Sequence, residues 1–276
     1  MEKIVGIRRE DKNKWERRVP IIPEDVRKLN DRYGIRMVVQ PSTLRIYSDD
    51  AYKENKAVVD EDLSSAKTIF AVKEIPTHLL SAGKTYIYFS HTIKGQPYNM
   101  DMLRRLMDLK CNLIDYERIV NEKNQRLIFF GAHAGYAGMI ETLFAFGRKM
   151  RLNNVDSPLA KIRQAYEYES LEHAKDHVRQ IAMEISKQGL PKELCPLIVG
   201  FSGYGNVSKG AQEIFDLLPV KTITPDRLEE VRNQDVKDHH HLYKVIFREQ
   251  DMVKPIGGSF DLQDYYDHPE KYTSVV

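Results

Sequence analysis

The sequence has 276 residues and a formal net charge of +2, from 42 basic and 40 acidic side chains, and this balance argues against a dedicated nucleic-acid binder. With 42% hydrophobic and 30% charged residues the chain is predicted to be globular, and at roughly 100–200 residues per domain its length predicts two domains. It has no run of about 18 apolar residues and no leader pattern, and Cys111 and Cys195 lie in apolar stretches, so we expect a cytoplasmic protein with reduced cysteines and no membrane partner.

The first half of the chain alternates short apolar runs with segments of helical spacing. The apolar runs carry β-branched and aromatic residues, and strands are predicted at 4–8, 36–40, 68–73, 85–90 and 112–116. Helices are predicted at 24–33, 50–55, 62–66 and 100–109. Alternation of this kind predicts a mostly parallel sheet covered by helices.

The rest of the chain is predicted to contain long helices followed by a second α/β segment. Helices are predicted at 134–151 and 171–187, and Gly135 and Gly138 indicate a close backbone approach to another element or to a ligand. Strands at 195–201, 220–224 and 243–247 and a helix at 207–218 follow. We place the domain boundary after residue 153, which gives domains of residues 1–153 and 154–276. The predicted class is α/β, with a parallel-sheet substrate domain followed by a partial Rossmann-like dinucleotide-binding domain.

Candidate catalytic side chains follow three successive predicted strands. Lys73, His91 and Glu117 each stand where a strand ends. Because ligands gather at the carboxyl ends of parallel strands, we expect all three at one edge of the sheet, where they can transfer protons near neutral pH. The alternative is that charged residues end strands simply because strands emerge into water. Arg18 and Arg126 are candidate carboxylate ligands or, alternatively, solvated loop charges.

A second candidate site follows the strand predicted at 195–201. Gly203 and Gly205 match the first two glycines of the dinucleotide-binding pattern, and Ser208 stands at the third. Glycines allow the backbone to approach a pyrophosphate, although a plain strand-to-helix turn is the alternative. The next strand ends without an acidic residue, and the nearby Lys221 and Arg227 favour NADP over NAD.

No metal site is predicted. The consecutive histidines His239, His240 and His241 cannot all face one metal on regular structure, and neither cysteine has zinc-finger spacing.

Several sequence motifs occur in an order that resembles a known enzyme family. They are VGIRREDKNKWERRVPIIP, VVQPSTLRIY, VKEIP, YFSHTIKGQPYN, LIDYERI, FFGAHAGYAGMIETL and SGYGNVSKGAQEIF. Together they resemble the lysine–2-oxoglutarate reductase domain of aminoadipic semialdehyde synthase, within the wider alanine dehydrogenase, transhydrogenase and saccharopine dehydrogenase group. The resemblance runs from Lys3 to about Tyr272.

The resemblance implies a reaction and roles for particular residues. Lysine and 2-oxoglutarate condense, and reduced NADP or NAD delivers hydride to the imine to give saccharopine. The residues that match the family motifs are Lys73 and His91 as acid–base groups, Glu117 as the carboxylate that tunes them, Arg18 and Arg126 as substrate ligands, and Gly203, Gly205, Asn206, Val207 and Ser208 as the dinucleotide turn.

Family domains continue beyond the HPEKY segment, so the resemblance implies an incomplete nucleotide-binding domain here. We therefore expect either a truncated relative or a complementing carboxy-terminal polypeptide. Two other functions remain open. One is a lysine-forming saccharopine dehydrogenase or an alanine dehydrogenase-like enzyme. The other is a non-catalytic subunit that binds the small-molecule substrates.

Overall fold

A computed structural model of the chain describes residues 3–234 and 238–275. Positions 1, 2 and 276, at the ends of the predicted domains, and 235–237 lie outside the described residues. The polypeptide forms two compact units, Met1–Phe129 and Phe130–Val276. The division therefore differs from the boundary expected after residue 153, because a long helix that starts at residue 131 packs within the second unit.

The first unit contains a parallel sheet, as predicted. Its strands are β1 (Lys3–Ile7), β2 (Ile35–Val39), β3 (Val58–Val59), β4 (Thr68–Phe70), β5 (Thr85–Tyr88) and β6 (Asn112–Asp115). Their order in the sheet is β3-β2-β1-β4-β5-β6, and each neighbouring pair is parallel. The order reverses between β1 and β4, and such a reversal opens a crevice at the carboxyl ends of the strands.

Helices cover this sheet. They are α1 (Pro23–Tyr33), α2 (Asp49–Glu54) and α3 (Pro97–Asp108). Helix α1 begins at a proline and ends at Gly34, whose φ of 63° lies in the left-handed region that favours glycine. Val26 of α1 and Tyr52 of α2 pack against β1 and β2, whereas Met102 of α3 packs against β4 and β5.

The helix predicted at 62–66 is wrong, because this segment forms turns. The side chain of Asp60 accepts a hydrogen bond from the backbone N–H of Asp62, and Asp62 accepts one from that of Ser64. Short polar side chains that bond nearby backbone groups compete with helix formation. A helix of five residues has too few internal bonds to resist this competition.

The second unit contains long helices and a three-stranded parallel sheet. Its first elements are α4 (Gly131–Leu152), α5 (Leu171–Gln188), β7 (Ile198–Ser202), α6 (Asn206–Phe215), β8 (Val220–Ile223), α7 (Leu228–Arg232) and β9 (Leu242–Phe247). The strand order is β7-β9-β8, and both neighbouring pairs are parallel. The α/β class is thus confirmed in both units.

The tail has more regular structure than its sequence pattern indicates. It contains α8 (Glu249–Met252), β10 (Val253–Pro255), α9 (Leu262–Asp267) and β11 (Tyr272–Ser274). Strands β10 and β11 pair in antiparallel fashion. The pairing joins residues about twenty positions apart, so local periodicity could not indicate it.

Helices α4 and α6 cross at a pair of glycines. A Cβ atom on Gly135 would lie 2.1 Å from the carbonyl oxygen of Val207, and one on Gly210 would lie 2.2 Å from that of Ala132. The expected close approach at Gly135 is therefore to another helix. Gly138 faces open space instead.

None of the helices formed by the described residues is both long and apolar enough to cross a bilayer.

Candidate active site at the carboxyl edge of the first sheet

The three candidate catalytic residues of the first unit follow neighbouring strands. Lys73 comes shortly after β4, His91 after β5 and Glu117 after β6, and these strands are consecutive in the sheet. All three strands are parallel, so their carboxyl ends lie at the same edge. Each of the three residues is partly exposed. The fold thus brings them to one edge, while their catalytic roles stay predictions.

His91 is paired with a carboxylate that was not among the predicted catalytic residues. Its Nδ1 lies 2.8 Å from Oε1 of Glu74, and Lys12 Nζ donates to Oε2 of Glu74 at 2.6 Å. Burial alone would raise the pKa of Glu74, but the hydrogen bonds from Lys12, the backbone and His91 outweigh burial and lower it to about 2. Glu74 is therefore ionised at neutral pH. It orients the ring so that Nδ1 carries the proton and Nε2 is the other nitrogen available for proton transfer.

The backbone at His91 adopts a rarely populated conformation. Its φ is +50°, in the left-handed region that non-glycine residues seldom adopt. The buried Asn99 amide donates to the backbone carbonyls of Ser90 at 3.0 Å and of His91 at 3.3 Å, and it lies 3.4 Å from Glu74 Oε1. Ser90 also donates to Asp115 at the end of β6 through its backbone N–H and its hydroxyl. These contacts hold the imidazole at a defined position beside Glu74.

Lys73 is positioned through its backbone. The carboxylate of Glu10, 8% exposed, accepts hydrogen bonds from the N–H groups of Val72 at 2.7 Å and Lys73 at 3.0 Å. These bonds join the segment after β1 to the segment after β4. Burial raises the pKa of Glu10, and the two backbone bonds oppose the rise.

The two candidate substrate-binding arginines are each paired with an acidic residue. Arg18 donates to Glu16 in bidentate geometry, at 2.7 Å from Nε and 2.6 Å from Nη2. Burial would raise the pKa of Glu16, but the bonds from Arg18 and the charge of Lys73 lower it. The Nη1 atom of Arg126 lies 3.2 Å from Oε1 of Glu117. Glu117 therefore contacts Arg126, whereas the carboxylate that contacts His91 is Glu74.

Sequence reasoning missed several polar residues of this edge. They are Glu10, Lys12, Glu16, Glu74 and Asn99. Glu74 had a detectable signal, because it follows Lys73 directly at the end of the same strand. Asn99 had none, because it lies in the first turn of α3 and reaches the edge only through tertiary packing.

The second unit contains the predicted dinucleotide turn, between β7 and α6. Gly203 has a φ of +88°, and a Cβ atom on Gly203 or Gly205 would meet no atom within 4 Å. Gly205 caps α6 without a side-chain hydrogen bond, and the hydroxyl of Ser208 donates to the carbonyl of Gly203 at 2.7 Å.

The turn borders a cleft that can accept a phosphate group. The cleft has a volume of about 610 Å³ and is lined by the turn, by β7 and by the first part of α4, including Gly138. Backbone N–H groups at the start of a helix bind phosphate without needing a side chain. The backbone geometry thus fits the pyrophosphate of a dinucleotide.

In the described segments 3–234 and 238–275, no group of three histidine, cysteine, aspartate or glutamate side chains is arranged to hold a metal ion. Both cysteines are free thiols.

Comparison with known proteins identifies the family of the first unit. Residues 6–137 match the family described as "Alanine dehydrogenase/PNT, N-terminal domain". The match includes Lys73, His91, Glu117, Arg18 and Arg126, although it assigns no role to any of them.

Full-length relatives extend the similarity to the second unit. The chain is 39% identical to alpha-aminoadipic semialdehyde synthase of Arabidopsis thaliana, over 99% of this chain and 27% of the relative. It is 37% identical to the mitochondrial enzyme of the same name from Mus musculus, over 98% of this chain and 29% of the relative. A lysine-forming, NAD-dependent saccharopine dehydrogenase of Yarrowia lipolytica is 31% identical over 45% of this chain and 34% of the relative. The chain thus spans less than a third of the length of the two synthases.

Solved structures support the fold. An L-alanine dehydrogenase superposes with a TM-score of 0.53 at 18% identity, over 87% of this chain and 60% of that one. A transhydrogenase from Sinorhizobium meliloti superposes with a TM-score of 0.52 at 16% identity, over 83% of this chain and 61% of that one. The resemblance inferred from the motifs is confirmed: the first unit matches the alanine dehydrogenase/PNT N-terminal domain family over residues 6–137, and nearly the whole chain is similar to the corresponding part of alpha-aminoadipic semialdehyde synthase.

Proposed function

We propose that the chain is part of a saccharopine-forming oxidoreductase that condenses lysine with 2-oxoglutarate and reduces the resulting imine with NADPH or NADH. The observation that carries this proposal is the His91–Glu74 pair, which lies with Lys73 at the carboxyl edge of the sheet. The similarity to alpha-aminoadipic semialdehyde synthase supports the choice of substrates.

The first unit is proposed to supply the acid–base chemistry of condensation. The lysine ε-amine must lose a proton before it attacks the ketone carbon, and we assign Nε2 of His91 as the acceptor of that proton. Glu74 stabilises the imidazolium that forms, because it is ionised and hydrogen-bonded to Nδ1. The imidazolium then returns the proton to the carbinolamine hydroxyl, which leaves as water. Lys73 supplies a positive charge for the oxygen of the ketone or for a substrate carboxylate.

The two exposed arginines are proposed to bind substrate carboxylates. Arg18 is 44% exposed while its partner Glu16 is nearly buried, so the carboxylate fixes the guanidinium from the protein side. Arg126 is held by Glu117 in a similar way. A dicarboxylic keto acid requires two such cations.

The second unit is proposed to hold the dinucleotide. Gly203, Gly205, Asn206, Val207 and Ser208 form the turn that would receive the pyrophosphate. A bound reduced nicotinamide supplies the hydride that reduces the imine carbon. We propose NADP rather than NAD, because β8 itself ends without an acidic residue. The two free cysteines fit a reducing compartment, and we propose the cytoplasm.

The proposal is tested by following NADPH oxidation with lysine and 2-oxoglutarate, alongside calorimetric titration of 2-oxoglutarate. We expect His91→Gln to lower kcat by roughly 10²–10⁴-fold, because it removes a general acid–base group. His78→Gln, in a turn before β5, is the matched control and should leave turnover unchanged.

Turnover with saccharopine and NAD, or with alanine and NAD, in place of this reaction would support the two alternative enzymes instead. Binding of 2-oxoglutarate without any turnover would support the non-catalytic subunit. An unchanged kcat in His91→Gln would remove His91 from the mechanism.

A further inference from the structure

The strand order of the second unit differs from that of a standard dinucleotide-binding sheet. In the standard order, the second strand lies beside the first. Here β9 lies beside β7, and β8 is separated from β7 by β9. The pairing is continuous from Ile198↔Tyr243 to Ser202↔Phe247, and the N–H of Gly203 donates to the carbonyl of Phe247 at 3.0 Å. The carboxyl end of β9 therefore adjoins the glycine turn.

The strand beside the first strand has a defined role in these sites. A residue at its carboxyl end contacts the adenosine ribose. An acidic residue binds the 2′-hydroxyl, whereas an arginine binds a 2′-phosphate. In this chain, the residues at that position are Arg248 and Glu249, directly after β9. The end of β8 is one strand farther away, or roughly 4.8 Å.

The basic residues near β8 already have partners. Lys221 forms an ion pair with Asp238 at 2.6 Å, and Arg227 pairs with Glu230 in bidentate geometry. These ion pairs fix both cations in and after β8, one strand away from the glycine turn.

Arg248 has a different environment. Its side chain is exposed, and its guanidinium lies 6.0 Å from the centre of the ring of Tyr204, a residue of the glycine turn. Within the described segments, no carboxylate lies within ion-pair distance of this guanidinium. A planar cation in this position can donate two hydrogen bonds to a phosphate.

Glu249 is less suited to bind a ribose hydroxyl. Its Oε2 accepts a hydrogen bond from the hydroxyl of Tyr204 at 3.2 Å, and its Oε1 accepts one from Tyr266 at 2.6 Å. These bonds lower the pKa of Glu249, with the Tyr266 bond the largest cause. The carboxylate thus serves to fix Tyr204 beside Arg248.

We propose that Arg248, at the end of β9, binds the 2′-phosphate of an NADP-type nucleotide. The residue that binds at the 2′ position of the ribose therefore follows β9 and not β8. This inference rests on the proposed binding of a dinucleotide at the glycine turn, and it adds the residue that selects the nucleotide.

The test uses 2′,5′-ADP and 5′-AMP, which differ in the 2′-phosphate and lack the nicotinamide. Their affinities for the full chain are measured by calorimetry in wild type, Arg248→Ala and Arg227→Ala. We expect Arg248→Ala to weaken 2′,5′-ADP binding by roughly 10- to 100-fold, as for loss of charge-assisted hydrogen bonds, with little change for 5′-AMP. Arg248→Lys should retain part of the selectivity, because it keeps the charge but loses the planar geometry.

Arg179→Ala is the matched control, because it removes an exposed arginine from α5 of the same unit. It should leave both affinities unchanged. An equal effect of Arg248→Ala on both ligands, or a selective loss in Arg227→Ala instead, would overturn the assignment to β9 while leaving nucleotide binding intact. Failure of the wild-type chain to bind either ligand would contradict the proposed nucleotide site itself, and the inference with it. Circular dichroism of each variant verifies that it is folded.

Discussion

At the scale of single residues, Glu74 connects the polar groups of the candidate active site. It contacts Lys12, His91 and Asn99, which belong to segments after β1, after β5 and in α3. Its side chain is 9% exposed, so its charge is compensated by these neighbours rather than by water. Removing that charge should affect both the orientation of the imidazole and the stability of the fold.

We predict that Glu74→Gln lowers the free energy of unfolding by about 1.5–3 kcal/mol at neutral pH, because it replaces charge-assisted hydrogen bonds with neutral ones. The pKa of Glu74 is lowered from 4.5 to about 2. Its contribution is therefore fully present above pH 4.5 and is lost as the pH falls toward 2. In urea unfolding across this range, the difference in the free energy of unfolding between wild type and variant should become smaller as the pH falls.

The matched control is Glu61→Gln, since Glu61 pairs with Arg9 on the surface with 61% of its side chain exposed. An exposed pair contributes at most about 1 kcal/mol, so this variant should have a smaller effect than Glu74→Gln at neutral pH. If Glu74→Gln lowered the free energy of unfolding by the same amount at every pH, that result would contradict the assignment of an ionised, hydrogen-bonded carboxylate.

At the scale of elements, the α4–α6 crossing determines the geometry of the glycine turn. Gly135 and Gly210 let the two backbones approach until a methyl group no longer fits between them. The cleft beside the turn is lined by both helices, so their spacing sets its width. Gly135, for which the sequence left open an approach to another element or to a ligand, therefore acts through helix packing.

We predict that Gly135→Ala destabilises the second unit by about 1–3 kcal/mol, because the added methyl group forces the helices apart. Gly138→Ala, in the same helix, is the matched control. Nothing lies within 4 Å of its Cβ position, and it should stabilise the helix by up to about 1 kcal/mol. Thermal unfolding of both variants distinguishes the two sites. Equal effects would show that the crossing is looser than the structure indicates.

At the scale of the whole molecule, each unit has its own sheet and its own hydrophobic core. In the first unit, core residues such as Ile69, Tyr86 and Met102 belong to β4, β5 and α3. In the second, Val178 of α5 and Phe215 of α6 belong to one continuous cluster. A core that lies wholly within one unit allows that unit to fold independently.

We predict that residues 1–129 fold without the second unit, because their sheet is complete within that segment. The expected result is an α/β circular dichroism spectrum and a cooperative urea transition for the isolated segment. In the same segment, Tyr86→Ala should move the midpoint of the transition to a lower urea concentration. The reason is that loss of a fully buried aromatic side chain lowers the free energy of unfolding by about 3–5 kcal/mol. A segment that shows no cooperative transition would contradict this prediction.

Local patterns in the sequence indicated much of the fold. The strands of the first sheet, the long helices and the glycine turn each depend on a few neighbouring residues, and their predicted bounds are close to those observed. The helix predicted at 62–66 was wrong because aspartate side chains accept hydrogen bonds from backbone N–H groups there. Strand β3 was missed because its two residues are too few to show alternation.

The sequence by itself determined the α/β class, the family and the edge of the sheet at which Lys73, His91 and Glu117 lie, because these depend on local periodicity and on motifs that are continuous in the chain. Tertiary structure alone decided which carboxylate contacts His91 and which strand lies beside the glycine turn. Glu74 and His91 are 17 positions apart, and β9 is separated from β7 by β8 in sequence. Such contacts depend on long-range packing, which no local pattern encodes.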